Sequence, residues 1–422
     1  MRNWIAVAAA LLAGTAPAAQ QEAAPACRAT LKGANVWTGQ GFARRDLSFA
    51  DGRFTAAPAA DAPAINASFL WLAPPFVDAH AHTIDTPSGA TDKAHDAALR
   101  RGIFYAVNPN NIRPAGATPR PGPTQVDLQA AGGGVTRPGG HPRPLYEFLA
   151  GRGFLGPQVT VASLPGAAFH EATTPAEARA AVRRIKANGA SLVKLYLLNH
   201  DTPRSNGLSA EAFEAAADEA RRSGLRAIVH IESAADFRRA VAAGAVGLAH
   251  SPYAEASDTL PDANYRLTPA DAAAAKRAGV IVAVTLTPPF TRYDGARLAA
   301  VQATQRHNLT LLRDAGVDLA LGADNYASDL HDELSLLRTF ALFEGPAILR
   351  MATANGARLG WGGRRIGALD AGYEASLLGW FQNPVGEWAN LDRPVLGLRE
   401  GRVMIDQVGL FKAACPDGAA LP

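Results

Sequence analysis

The chain has 422 residues, 48% of them hydrophobic, which is enough to bury a large core and is long for one simple domain. Its 41 basic and 38 acidic residues leave a formal net charge of +3 and form no long runs, so the footprint of a nucleic-acid-binding or anionic-membrane-binding protein is missing. A small molecule or short peptide remains as the expected partner, with self-association into a homo-oligomer left open.

Residues 1–18 read as an export signal: Arg2 is followed by the apolar run Ile5 to Ala13 and the small-residue site Ala16-Pro17-Ala18. The run is too short to span a bilayer, so the expected location is periplasmic or secreted, with no membrane attachment once the signal is removed. Only two cysteines exist, Cys27 and Cys415. In an oxidising compartment they can close a disulfide if the chain ends meet, and otherwise they are two unpaired thiols.

From Cys27 to Leu72 short strands alternate with turns: Ala29 to Trp37, Asp46 to Phe49, an Asp51-Gly52 turn, Arg53 to Ala56, and Ile65 to Leu72. The C-terminal stretch 363–415 is similar, with Ala375 to Phe381, Val395 to Arg399, a Glu400-Gly401 turn and Arg402 to Ile405. Residues 27–72 and 363–415 are therefore expected to build one small β-sandwich domain from both ends of the chain.

Between them, residues 73–362 alternate apolar strands with amphipathic helices, an α/β pattern that predicts a (β/α)8 TIM barrel, an open doubly wound sheet being the alternative. The eight strands expected are Phe76–Ala79, Ile103–Val107, Val159–Ala162, Leu192–Leu197, Ala227–Val229, Val246–Ala249, Ile281–Thr285 and Leu319–Ala323. Helices are expected over Thr174–Asn188, Ser209–Ser223, Ala234–Ala243 and Thr268–Ala278. The Pro- and Gly-rich stretch Asn108 to Pro144 breaks the rhythm and reads as a lid or a plain insertion.

Polar residues at the strand ends carry the chemistry. His80 and His82 follow the first strand, His230 and His250 end the fifth and sixth, and Asp324 follows the eighth. Imidazole and carboxylate donors gathered at one barrel mouth suit divalent first-row metals, zinc first among them. Any one of these histidines alone reads more readily as a hydrogen-bonded core residue, and their joint placement is what points to a metal. Lys194 lies in a strand apolar on both faces, where burial favours a neutral amine able to add CO2 as a carbamate. An ordinary ion pair at the rim is the alternative. Tyr196, Tyr253, Arg292 and Tyr293 fall just past strand ends and are candidates to touch substrate, Arg292 through a carboxylate. His141 and His170 belong to no motif.

His80-Ala81-His82 after Pro-Pro-Phe-Val-Asp, then Lys194, His230, His250 and Gly322-Ala323-Asp324, resemble the amidohydrolase superfamily. The likeness extends to Ala352–Gly360 and to Arg365-Ile366-Gly367, and is strongest to imidazolonepropionase-like and prolidase-like members. It implies two divalent metal ions, one on His80, His82 and Asp324, the other on His230 and His250, bridged by N6-carboxylated Lys194. It also implies a water between them as nucleophile and Asp324 as general base and acid. One departure stands out: Tyr373-Glu374-Ala375-Ser376 replaces the usual Ala-Asp-Leu-Val, which puts a β-domain contact in question. Glu232, two residues after His230, reads as a support rather than a reacting group. The expected activity is hydrolysis of a peptide-like C–N bond. A mononuclear cyclic-amide hydrolase or deaminase, a lactone or phosphoester hydrolase, and a non-enzymatic periplasmic binding protein are the alternatives.

Overall fold

Seven of the eight expected barrel strands form, and a computed structural model shows what takes the place of the other. The structure describes residues 26–84, 91–112, 125–254, 260–386, 388, 391–412 and 414–415; the stretch read as an export signal lies outside them. Strands Leu192–Tyr196, Arg226–His230, Gly247–Leu248, Ile281–Val284 and Asp318–Leu321 pair in parallel in that order. Phe76–Asp78 pairs in parallel with Ile103–Asn108. The Ala79 amide donates to the Leu321 carbonyl at 2.8 Å and the Asp324 amide to the His80 carbonyl at 2.7 Å, joining last strand to first. The ends that carry His80 and Asp324 are thereby neighbours.

The third strand is not Val159–Ala162, where a 3-10 turn at Val161–Ser163 stands instead. A Val-Thr-Val run has strand propensity, but propensity counts only where neighbours can pair with it. The third position is filled from the stretch expected as a lid. Asp127–Ala130 pairs with Ile103–Asn108, and Gly134–Thr136 pairs with Phe169–Glu171 and, at Val135, with Leu195 of the fourth strand. Between these halves the chain passes very close to its neighbours. A Cβ on Gly133 would lie 2.5 Å from the Ala168 carbonyl carbon, and one on Gly134 would lie 2.6 Å from the Tyr196 ring. These glycines serve close packing inside the barrel wall. Residues 113–124 of the same stretch lie outside the described ones.

The helices begin and end where their capping residues predict. Thr174, Ser209, Ser233 and Thr268 each accept a hydrogen bond from an amide of the first turn, ahead of helices Pro175–Ala187, Ala210–Arg222, Ala234–Ala242 and Pro269–Ala278. Each cap contributes about 1 kcal/mol. Gly279 ends the last of these in the left-handed region at φ 67°. Among the described residues, no helix is long and apolar enough to cross a membrane.

Both chain ends build the β domain. Its sheet runs Arg402–Asp406, Leu396–Arg399, Leu377–Trp380, Trp71–Ala73, Ala29–Trp37, Phe42–Ala50 and Arg53–Thr55, with Ala64–Asn66 paired beside Ala29–Trp37. The expected strand Ile65 to Leu72 is two strands, because Asn66 takes the Ser68 amide on its side chain and turns the chain. The sheet rolls round until its Arg53–Thr55 edge meets residues 372–375: the Phe54 amide donates to Tyr373 and the Gly372 amide to Phe54. Asp51-Gly52 and Glu400-Gly401 are tight turns with both residues at positive φ, as their sequences require. Cys27 and Cys415 form a disulfide across 388 residues, with Cα atoms 5.6 Å apart.

Candidate active site

The strand Phe76–Asp78 is wholly buried, and Asp78 at its end fastens the two ligand-bearing segments together. Its Oδ1 accepts the amides of His80 at 3.1 Å and Ala323 at 3.3 Å. Burial pushes the Asp78 carboxyl up to about 7 against the pull of those amides. Gly322 permits the close approach, since a Cβ there would lie 2.5 Å from the backbone nitrogen and Cβ of His80. Asp324 itself sits in the left-handed region, at φ 48°. That turn aims its carboxylate back across the barrel mouth.

Three imidazoles surround that carboxylate. His80 Nε2 is 3.0 Å and His82 Nε2 3.2 Å from Oδ1, and His250 Nδ1 is 3.5 Å from Oδ2. Ligand atoms of His80, His82 and Asp324 all lie within 4.8 Å of one another, close enough to share one ion. His80 Nδ1 lies 3.2 Å from the Ala249 carbonyl, an outer contact that orients a ligand ring. Nearby, His250 Nε2 and His230 Nδ1 face each other at 3.1 Å, and His250 Nδ1 lies 2.6 Å from Thr285 Oγ1. The charge states fit the same purpose. Burial drives His80 down to about 4 despite Asp324 beside it, which leaves a neutral ring with a lone pair. Burial opposes ionisation of Asp324, but His80, His250 and His82 outweigh it and hold the carboxyl well below its usual range. A neutral imidazole beside an ionised carboxylate is a donor pair suited to a divalent cation.

Lys194 is buried to 2% exposure on the fourth strand, with Nζ 5.7 Å from the centre of the Tyr196 ring. His80, His82, Lys194, His230 and Asp324 all line one cavity of about 220 Å³. His250 stands behind it, its ring 4.5 Å from that of His230. The six side chains singled out from the sequence therefore meet at one end of the barrel.

The four candidates for substrate contact divide. Tyr196 and Arg292 line the cavity. Tyr253 is buried edge-on against His250, ring centres 6.0 Å apart, and Tyr293 donates its hydroxyl to the Ala254 carbonyl. Neither belongs to the cavity wall. Glu232 is buried and receives the Asn199 side-chain amide, tying the loops after the fourth and fifth strands together.

Sequence reasoning missed or underweighted other parts of the wall. Asn110 donates to the Tyr146 hydroxyl at 2.8 Å and accepts the Gly134 amide at 2.7 Å, so it joins the second strand end to the third. His141, followed by a cis proline, brings its ring to 5.0 Å from His230 and 5.4 Å from Tyr196. Tyr326 stacks on His82 with centres 5.2 Å apart. Its place two residues after Asp324 was the available signal. His170, the other unplaced histidine, is buried on Phe169–Glu171 and outside the cavity wall.

Comparison with known proteins agrees with this geometry. No curated protein matches the chain. Among solved structures it is similar to a prolidase complexed with N-methylphosphonate-L-proline, at 20% identity and TM-score 0.69, over 90% of this chain and 100% of that one. It is also similar to a putative prolidase from Bifidobacterium longum, at 20% identity and TM-score 0.68, over 90% and 95% of the two chains. The A. niger ochratoxinase matches at 18% identity and TM-score 0.69, over 91% and 97%. At these identities the likeness shows the barrel fold. The model of the amidohydrolase family matches residues 144–404, more than half of the chain. Barrel, β domain and family match lead to one conclusion: the chain belongs to the amidohydrolase family, and it is a hydrolase acting on carbon–nitrogen bonds.

Proposed function

We propose that this is an exported, binuclear metal-dependent amidohydrolase that cleaves a peptide-like amide in a small substrate. The observation that supports it most is the convergence of His80, His82 and Asp324 on one point of a cavity that also holds Lys194 and His230. In this reading His80, His82 and Asp324 hold one ion, and His230 and His250 a second. Lys194, as a carbamate formed when its neutral amine adds CO2 and releases a proton, would supply oxygen donors to both. Zinc suits these donors. Such ions, when bound, lower the pKa of a water and polarise a carbonyl oxygen.

Asp324 takes a proton from the attacking water as the new C–O bond forms and delivers it to the leaving nitrogen as the C–N bond breaks. The hydrogen bond from its backbone amide to the His80 carbonyl and its three imidazole neighbours keep the carboxylate aimed for both transfers. Arg292, on the same wall, pairs with a carboxylate on the departing amine. The Cys27–Cys415 disulfide fits an oxidising compartment and so supports export.

Metal analysis of the mature protein, run beside a panel of dipeptides, N-acyl amino acids and lactones, tests this reading. Two ions per chain are expected, with turnover of an amide, and Lys194→Ala should lose the second equivalent together with activity. One ion per chain with an active Lys194→Ala variant would point to a mononuclear enzyme. Absence of amide turnover by the metal-loaded protein would overturn the proposal.

A further inference from the structure

The metal cavity has a neighbour. A second cavity, of about 570 Å³, adjoins it and shares Tyr326 with it. Tyr326 lies nearly flat on His82, their planes 20° apart, so one ring borders both a candidate ligand and the second space. The helix Arg143–Gly151 spans both cavities with one face: Leu145 lines the first and Leu149, one turn later, lines the second.

The second cavity is walled largely by apolar side chains, among them Ile84, Ala94, Ala98, Leu149, Phe154 and Leu155. Apolar surface continues out of it, for Phe154 is 64% exposed and Phe148, on the same helix as Leu149, 55%. Large apolar side chains clustered in a concavity beside a polar reaction centre mark a place where apolar ligand surface is buried. Arg292 lines only the metal cavity, so a cation and an apolar chamber stand on different walls round the scissile bond. Along one stretch the chamber is bounded by the Arg101–Asp329 ion pair.

We propose that this chamber receives a large apolar group on the acyl side of the scissile amide, which makes the substrate class amino acids N-acylated with medium-chain or aromatic acids. The inference rests on the amidohydrolase reading above. Water adds to the acyl carbon, the C–N bond breaks, and the products are a free apolar carboxylic acid and a free amino acid, the nitrogen leaving with one proton from the water.

The test compares kcat/KM for N-acetyl-, N-hexanoyl- and N-octanoyl-L-phenylalanine, and calorimetric binding of octanoate and acetate, for metal-loaded wild type and Ala97→Trp. Ala97 is exposed on the helix Thr91–Arg100 and lines the chamber, so an indole there obstructs it without disturbing the core. In wild type, kcat/KM is expected to rise about fourfold per added methylene, the equivalent of about 0.8 kcal/mol each. In Ala97→Trp the octanoyl-to-acetyl ratio should collapse to within about threefold, and octanoate should bind at least about tenfold more weakly. A ratio independent of chain length in wild type, or unchanged in the variant, overturns the subsite while leaving amide hydrolysis intact. Octanoate binding that Ala97→Trp abolishes, in a protein that hydrolyses none of the three amides, supports the subsite and removes the catalytic reading.

Discussion

Two clusters of ionisable groups among the described residues, one partly exposed and one buried, are built on opposite plans. At the interface of barrel and β domain, Arg364 donates to Asp127 at 2.7 Å, to both oxygens of Glu374 at 2.8 and 2.7 Å, and to Glu400 at 2.9 Å. Burial disfavours its charge, but Glu374 and Asp127 more than offset that and hold the guanidinium protonated. Glu374 occupies the place where the sequence departs from the family pattern; it holds Arg364 by a bidentate pair, and Arg364 in turn reaches across to Asp127 of the barrel. In this cluster each charge meets its opposite within the chain. At the barrel mouth, nitrogen faces nitrogen across 3.1 Å, and two imidazoles converge on one carboxylate oxygen. The first cluster is finished by its own residues and supports the fold; the second concentrates donor atoms around points suited to a cation, and reactivity is expected there.

That contrast breaks if the mouth residues prove structural. Asp324→Asn keeps size and removes the proton acceptor, so kcat/KM should fall at least about 10³-fold with the melting temperature nearly unchanged. A large loss of stability with little loss of rate would reverse the assignment. The opposite pattern is expected at the supports. Removing the Cys27–Cys415 bridge by Cys27→Ser should cost about 2–5 kcal/mol of unfolding free energy, measured in denaturant, with turnover by the folded fraction preserved. Arg364→Met leaves Asp127 and Glu374 buried without their cation. It should cost about 2–4 kcal/mol, tempered because the side chain is a third exposed.

At neutral pH the smallest effect is expected from His170, which burial, aided by Arg184, drives down to about 4. A histidine whose pKa is lower in the folded than in the unfolded chain takes up its proton first in the unfolded state. Stability from this group is therefore complete above about pH 6.5 and declines as pH falls through 4, by roughly 3 kcal/mol in all. His170→Asn should flatten that slope when unfolding is followed from pH 7 to 4.

The catalytic half of this contrast was easier to read in the sequence than the supporting half. His80 and His82 are two residues apart at the end of an apolar run, so local periodicity alone puts them on one side of a strand. His230, His250 and Asp324 each end such a run, and barrel geometry does the gathering. Arg364 and Asp127, by contrast, lie 237 positions apart with no periodic signal to link them. Gly132-Gly133-Gly134 misled because a glycine run looks locally like a flexible loop; only the nearness of Ala168 and Tyr196 reveals a packed strand. Val159–Ala162 misled in the other direction, having the composition of a strand without a partner to pair with. His141 gave no signal, since its approach to His230 depends on how a distant loop folds back.

The rolled sheet ties the beginning of the polypeptide to its end, and this sets an order of events during synthesis. Trp71–Ala73 emerges from the ribosome early, yet one of its two neighbours, Leu377–Trp380, is translated some three hundred codons later. Until then an apolar strand keeps an open edge, the kind of surface on which chains join one another wrongly. A message cut short before Leu377 would leave that edge permanently open, even with every metal-site residue already made.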